Sequence, residues 1–275
     1  MLLIIGGNSK IARFLQPLFD ENHLLLTDKK GSLDYELDLE NLGKINFDKR
    51  ISHAVVLASI TNIEYCNDNE SIARKINGDN TIKLISELNR KGIKVLFPSS
   101  TCVFSSKSKI NNYELSPTNG DNIYGKIKSQ VEKEIIKNKL NTVLRISKII
   151  CPDDILLKKW KFFLKHKKRI SAFNDLRLAP TSVYSVGEFI SNWYHSNFNG
   201  IVHLSPSKDI SYLELAQKLC SYLSIDKSYV KSETTENSSK KVIYKPIKSY
   251  LSCKSPKSKK LDLDNEIEKI FNSLY

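Results

Sequence analysis

The chain has 275 residues, 40% of them hydrophobic and 27% charged, with 43 lysines and arginines against 30 aspartates and glutamates, a formal net charge of +13. That length suits one large α/β domain or two modest ones, and the composition is that of a soluble globular protein. No run of about 18 apolar residues exists to span a membrane, the apolar start Met1–Gly7 lacks a signal peptide's basic leader, and Cys66, Cys102, Cys151, Cys220 and Cys253 show no paired or ligand-like spacing. A reduced, cytoplasmic, metal-free protein is expected.

Leu2–Ile5 reads as a buried strand and Lys10–Phe19 as a helix. The turn between them, Gly6-Gly7-Asn8-Ser9-Lys10-Ile11-Ala12, stands where a dinucleotide pyrophosphate would meet backbone N–H groups and a helix dipole. Against a Gly-x-x-Gly-x-x-Gly pattern, Ser9 replaces the second glycine and Ala12 the third, and a tight turn without a ligand is the alternative. Leu24–Thr27 is a second strand, followed by Asp28 at about the spacing where an acid binds adenosine ribose hydroxyls. A carboxylate there favours NAD by repelling a 2′-phosphate, whereas Lys29 and Lys30 would attract one, so NAD and NADP both stay open.

His53–Leu57 is a third strand, and Ser71–Arg90 is a long helix with Ile72, Ile76, Ile82 and Leu88 among its apolar positions. Val95–Phe97, a helix carrying Tyr124, Ile127, Val131 and Ile135, and Thr142–Ile146 complete another strand–helix–strand unit. Such alternation predicts a Rossmann-type α/β fold, a parallel sheet with helices on both faces. The expected organisation is a dinucleotide-binding domain over 1–150 and a smaller α/β substrate-binding region over 151–275.

In the second region Ile155, Leu156, Trp160, Phe163 and Leu164 fall near helical spacing with lysines between them, the solvated face of an amphipathic helix rather than a nucleic-acid patch. The excess positive charge would attract phosphorylated cofactors or nucleotide-activated substrates, or lie near an anionic membrane. Ser185 to Glu188 and Ser211 to Glu214 have capping-box spacing and mark two helix starts, with a Gly200–Leu204 strand between them. Asn237–Lys241 and Ser252–Lys260 read as polar loops.

The sharpest chemical signal is Tyr124-Gly125-Lys126-Ile127-Lys128, which puts a phenol and an ammonium on one helix face, downstream of Ser99-Ser100-Thr101 at a strand end. The same Tyr-x-x-x-Lys spacing recurs at Tyr244 to Lys248, where Pro246 opposes a helix, and at Tyr250 to Lys254 in a Ser/Lys/Pro-rich tail. A nearby cation favours the phenolate and so brings a phenol towards useful acidity.

These segments, in this order, resemble the extended short-chain dehydrogenases/reductases, the superfamily of nucleotide-sugar epimerases, dehydratases and reductases. The likeness is carried by the turn at Gly6, Asp38-Leu39, Ala58-Ser59, Asn77 to Thr81, Ser100, and Tyr124 with Lys128. Within the superfamily the chain is most similar to dTDP-4-dehydrorhamnose reductases, through Ala58-Ser59-Ile60-Thr61-Asn62-Ile63-Glu64, Asn122-Ile123-Tyr124-Gly125 with Glu132, Ala179-Pro180-Thr181, and Lys245-Pro246-Ile247-Lys248-Ser249-Tyr250-Leu251.

The resemblance implies an NAD(P)-dependent oxidoreductase, using NADH or NADPH to reduce the keto group of a 4-keto-6-deoxy nucleotide sugar in surface-polysaccharide biosynthesis. It implies that Ser100 holds the substrate carbonyl, Tyr124 donates a proton, and Lys128 lowers the tyrosine pKa while bonding the nicotinamide ribose. Ser99 and Thr101 compete with Ser100, which the family's spacing to Val103 selects. Further cofactor contacts are implied at Gly6, Ser9, Lys10, Ile11, Asp28, Asp38, Leu39, Ala58 and Ser59, and Asn77 is the family's helix asparagine. Substrate contacts are implied at Ser100, Thr101, Arg177 and Pro180, and Lys158, Lys161, Arg169 and Arg177 are candidate diphosphate contacts. The alternatives are a sugar 4-epimerase with retained NAD and a non-catalytic dinucleotide-binding regulatory subunit. A homodimer stays open, and no nucleic-acid partner is expected.

Overall fold

The computed structural model describes residues 1–43, 46–196, 198–238 and 242–274. Eight parallel strands form the main sheet: β1 (Leu2–Ile5), β2 (Leu24–Asp28), β3 (Tyr35–Glu36), β4 (His53–Val56), β5 (Lys94–Ser100), β6 (Asn141–Ile146), β7 (Gly200–Pro206) and β8 (Lys259–Leu261). Their order is β8-β7-β6-β5-β4-β1-β2-β3, so the winding reverses between β1 and β4. In open α/β sheets that reversal leaves a crevice beyond the carboxyl ends of the strands, the usual ligand position.

Strand alternation builds two cores. Leu3, Ile5, Val95, Phe97 and Val143 pack on one face against Leu84, Leu88, Val131 and Ile135, while Leu2, Ile4, Leu96 and Leu144 pack on the other against Val186, Ile190 and Trp193. A third core joins Leu157, Trp160 and Leu164 of the Ile155–Lys165 helix to Leu215 and Leu219 of the Tyr212–Tyr222 helix and to Ile267 and Phe271 of the Leu263–Ser273 helix. No helix among the described residues is long and apolar enough to cross a membrane.

Two strands from beyond residue 150, β7 and β8, extend the main sheet. Lys259 and Lys260 were expected in a loop, yet they open the edge strand β8, where exposed lysines are tolerated because an edge faces water on one side. The part of the expected Asn237–Lys241 loop beyond Ser238 lies outside the described residues. The first helix runs only from Lys10 to Leu15 before tightening into a 3₁₀ turn at Gln16–Leu18, where Pro17 removes a backbone donor.

The capping box at Ser211 forms as expected, but the helix predicted to start at Ser185 begins at Val183, capped by the Ser182 hydroxyl. Glu266 explains the difference: its carboxylate accepts from the Ser182 N–H at 2.7 Å and from the Ser185 hydroxyl at 2.6 Å, so Ser185 is spent inside the helix.

Candidate functional site

A cleft of about 780 Å³ opens at the carboxyl end of the sheet. One wall carries Ser9, Lys10 and Ile11 with Ser59, the floor carries Ser99 to Cys102 and Tyr124, and the far wall carries Lys148, Arg177 and Tyr244.

Glycine is required at Gly6, whose φ is +91° and where an added Cβ would lie 2.7 Å from the Ala58 backbone nitrogen. This contact seats β1 and the segment after β4 against each other at the switch point. Ser9 departs from the glycine pattern for a local reason, since its hydroxyl caps the first helix by accepting from Ala12 N–H at 3.2 Å. Lys10 pairs with Asp153 at 3.2 Å. Asn77, in a π-helical stretch of the long helix, clamps the neighbouring segment: its side-chain oxygen accepts from Ser59 Oγ and Ile60 N–H, and its amide donates to Ile60 O at 2.7 Å.

Tyr124 lies in the first turn of the Ile123–Ile135 helix, capped by Asn122, whose side-chain oxygen accepts from Gly125 N–H at 2.8 Å. Gly125 lets that turn press onto the Thr101–Val103 turn; a Cβ there would stand 1.9 Å from Cys102 O. Tyr124 and Ser100, the end of β5, line the same cleft. The Ser100 hydroxyl accepts from Cys102 N–H at 3.2 Å, which leaves its own O–H free to donate. Ser99 is buried with its hydroxyl unpartnered in the described structure.

Lys128 is on the same helix as Tyr124 and donates to Pro98 O at 3.0 Å, with its ammonium 4.3 Å from the Phe97 ring centroid and 5.8 Å from the Tyr124 ring centroid. The expected lowering of the phenol pKa by this lysine is not found in this arrangement. Burial, with the neighbouring Cys102 and Cys66, pushes Tyr124 well above the usual phenol range. Burial also pushes Lys128 down to about 8, against the opposing pull of Glu132 and Cys66. Burial thus keeps the phenol protonated and disfavours the charged form of the lysine.

Asp28 ends β2 as the sequence spacing predicts. Asp28 does not line the cleft, and its carboxylate is already spent on Ser32 Oγ at 2.5 Å, Ser32 N–H at 2.9 Å and Asn8 at 3.3 Å, hydrogen bonds that hold it below the usual carboxylate range. Lys29 is paired with Asp38 at 3.3 Å and Glu40 at 3.0 Å, while the Leu39 carbonyl accepts from Asn80 at 2.7 Å. Pro180 is buried in a short strand beside 148–150 and does not line the cleft, nor do Lys158, Lys161 and Arg169. Lys161 instead donates to Leu274 O. Arg177 does line the cleft, neutralised by Asp209 at 2.7 Å.

Sequence reasoning passed over two residues of the far wall. Tyr244 enters the cleft and donates to Thr101 O at 3.3 Å, carried by a tail that is fastened through Ile247 N–H to Ser106 O at 2.8 Å and Ser249 N–H to Asp209 at 2.7 Å. Its signal was the Lys-Pro-x-x-Ser-x-Leu tail, read for likeness and not for the tyrosine before it. Lys148 carried no signal beyond its place after β6.

One cluster of ligand-type groups lies elsewhere: Glu114, His203 and Cys253 place donor atoms within 4.8 Å of one another. His203 Nδ1 faces Ser252 O at 2.8 Å and its Nε2 faces the Arg145 guanidinium at 3.4 Å, while Glu114 accepts from Lys254 and Ser255 N–H groups. Those bonds fasten the loop before β8, and Arg145 is itself held by Glu132 at 2.7 Å.

Residues 1–269 match the family described as RmlD substrate binding domain. The chain belongs to this family. The chain is accordingly an oxidoreductase. Similar solved structures include a dTDP-4-dehydrorhamnose reductase from Bacillus anthracis in complex with NADP (TM-score 0.81, 20% identity, covering 100% of this chain and 99% of that one). The corresponding reductase from Yersinia enterocolitica gives a TM-score of 0.79 at 17% identity, with 100% and 99% covered. A UDP-N-acetylglucosamine 4-epimerase from Methanobrevibacter ruminantium gives 0.77 at 16% identity, with 99% and 96% covered. These likenesses establish the shared fold. No curated protein matches by sequence.

Proposed function

We propose that the protein is an NAD(P)H-dependent reductase of the keto group of a nucleotide-activated sugar, with 4-keto-6-deoxy sugars as the class to test first and surface-polysaccharide synthesis as its setting. The observation that carries this reading is the convergence of Ser100 and Tyr124 with Ser9, Lys10, Ile11 and Ser59 in one cleft at the switch point. The residues fit a dinucleotide at its nicotinamide end, where the glycine turn and the Asn77-clamped Ser59 form a preformed wall. They fit less well at the adenosine end, where Asp28 must give up Ser32 to meet a ribose.

The cofactor, when bound, supplies hydride to the carbonyl carbon. Ser100 donates its free O–H to the carbonyl oxygen, and Tyr124 donates its proton as that oxygen becomes an alkoxide. Burial keeps that proton in place until it is needed. Lys128, moving from Pro98 O towards the phenol, stabilises the phenolate left behind.

The test is NAD(P)H oxidation with a 4-keto-6-deoxy nucleotide sugar, in wild type and Tyr124→Phe. The Phe variant is expected to lose about 10²- to 10⁴-fold in turnover. Full activity in that variant would refute Tyr124 as proton donor, and turnover without net cofactor consumption would mark an epimerase instead.

A further inference from the structure

Among the described residues three cations line the cleft, and two are already neutralised: Lys10 by Asp153 at 3.2 Å and Arg177 by Asp209 at 2.7 Å. Lys148 is the third. It is exposed, lines the cleft, and has no carboxylate or hydrogen-bond partner among the described residues. The cleft's carboxylates do not reach it, since Asp154 caps the Ile155–Lys165 helix by accepting from Leu157 N–H at 3.0 Å and Glu64 stands exposed on the Ile63–Asp68 helix.

The backbone fixes where Lys148 acts. Ser100 pairs in register with Ile146, and Lys148 begins the 148–150 strand just beyond, held by pairing with Pro180. The ammonium therefore enters at the end of the cleft where Ser100, Thr101, Cys102 and Tyr244 converge, the end assigned above to the reacting sugar.

We propose that Lys148 binds an anionic oxygen group of the nucleotide-sugar substrate, a diphosphate oxygen or a sugar carboxylate. An unpaired ammonium lining the cleft gives a directed, charge-assisted contact to such a group. The proposal rests on the nucleotide-sugar reading of the cleft, and direct binding separates the two.

The experiment is titration calorimetry of wild type, Lys148→Gln and Lys148→Arg with dTDP, UDP-glucose and UDP-glucuronate in the presence of NADPH. Lys148→Gln is expected to weaken the anionic contact about tenfold or more, with Arg restoring most of it. Equal weakening for all three ligands identifies the phosphate as the partner; weakening confined to UDP-glucuronate identifies a carboxylate. Unchanged affinities in a Gln variant that melts like wild type would overturn the role of Lys148 alone. Absence of wild-type binding to all three would overturn the nucleotide-sugar reading and the proposal with it.

Discussion

Gly125→Ala tests whether the site depends on the close approach of two turns. The new Cβ would stand 1.9 Å from Cys102 O and 2.7 Å from its carbonyl carbon, both backbone atoms. Ordinary C···O contact is about 3.3–3.6 Å, so the helix start and the Thr101–Val103 turn must separate by about 1.5 Å. Alanine in a helix gains about 1 kcal/mol over glycine, whereas overpacking against unyielding backbone costs about 1–3 kcal/mol. The difference leaves the variant destabilised by up to about 2 kcal/mol, a fall in Tm of a few degrees at most that leaves the protein folded. The site feels more: Tyr124 and Ser100 sit on opposite sides of that contact, and a misplacement of about 1 Å costs about 10²-fold in rate. NAD(P)H oxidation and thermal melting measure the two effects. An alanine variant with wild-type kcat/KM would refute the argument that this contact positions Tyr124.

Lys128→Met should stabilise the cofactor-free protein while removing most activity. The folded state lowers the lysine pKa from 10.5 to about 8, so the charged form costs stability in full below pH 8 and the cost fades as pH rises towards 10.5. The Met variant should therefore gain up to about 2–3 kcal/mol at pH 7, and the gain should vanish near pH 10.5, as followed by denaturant unfolding; a less stable variant at pH 7 contradicts this. Asn77→Ala removes three hydrogen bonds to Ser59 and Ile60 and should cost about 2–3 kcal/mol. It should also weaken NAD(P)H binding several-fold more than keto-sugar binding, as read from the two KM values; an equal effect on both would make Asn77 a general prop.

The sheet was legible because its signals are local. Leu2–Ile5 is an apolar run bounded by turn residues, as a strand of a sheet buried on both faces reads. Ser185 and β8 were misread for a shared reason. Glu266 lies far along the chain from the serines it holds, and Lys259 pairs with Leu204 only after the chain has returned to the sheet edge. Capping spacing and hydropathy describe neighbours in sequence, and neither reports a partner that arrives from elsewhere.

The site shows the same division more sharply. Tyr124, Lys128 and Ser100 are legible as candidates because helix spacing and a strand-end serine cluster announce them, but the orientation of Lys128 is not, since it depends on Pro98 O and on the Phe97 and Tyr124 rings around the ammonium. Arg177 looked like a free cation in sequence and is neutralised by Asp209, which also accepts from Ser249 in the tail. That same tail carries Tyr244 to Thr101 O. One carboxylate thus removes a charge from the cleft and anchors the segment that closes its far wall. The charge available to a substrate then falls on Lys148, a residue whose sequence context is unremarkable because its importance is set by the cations that are already paired.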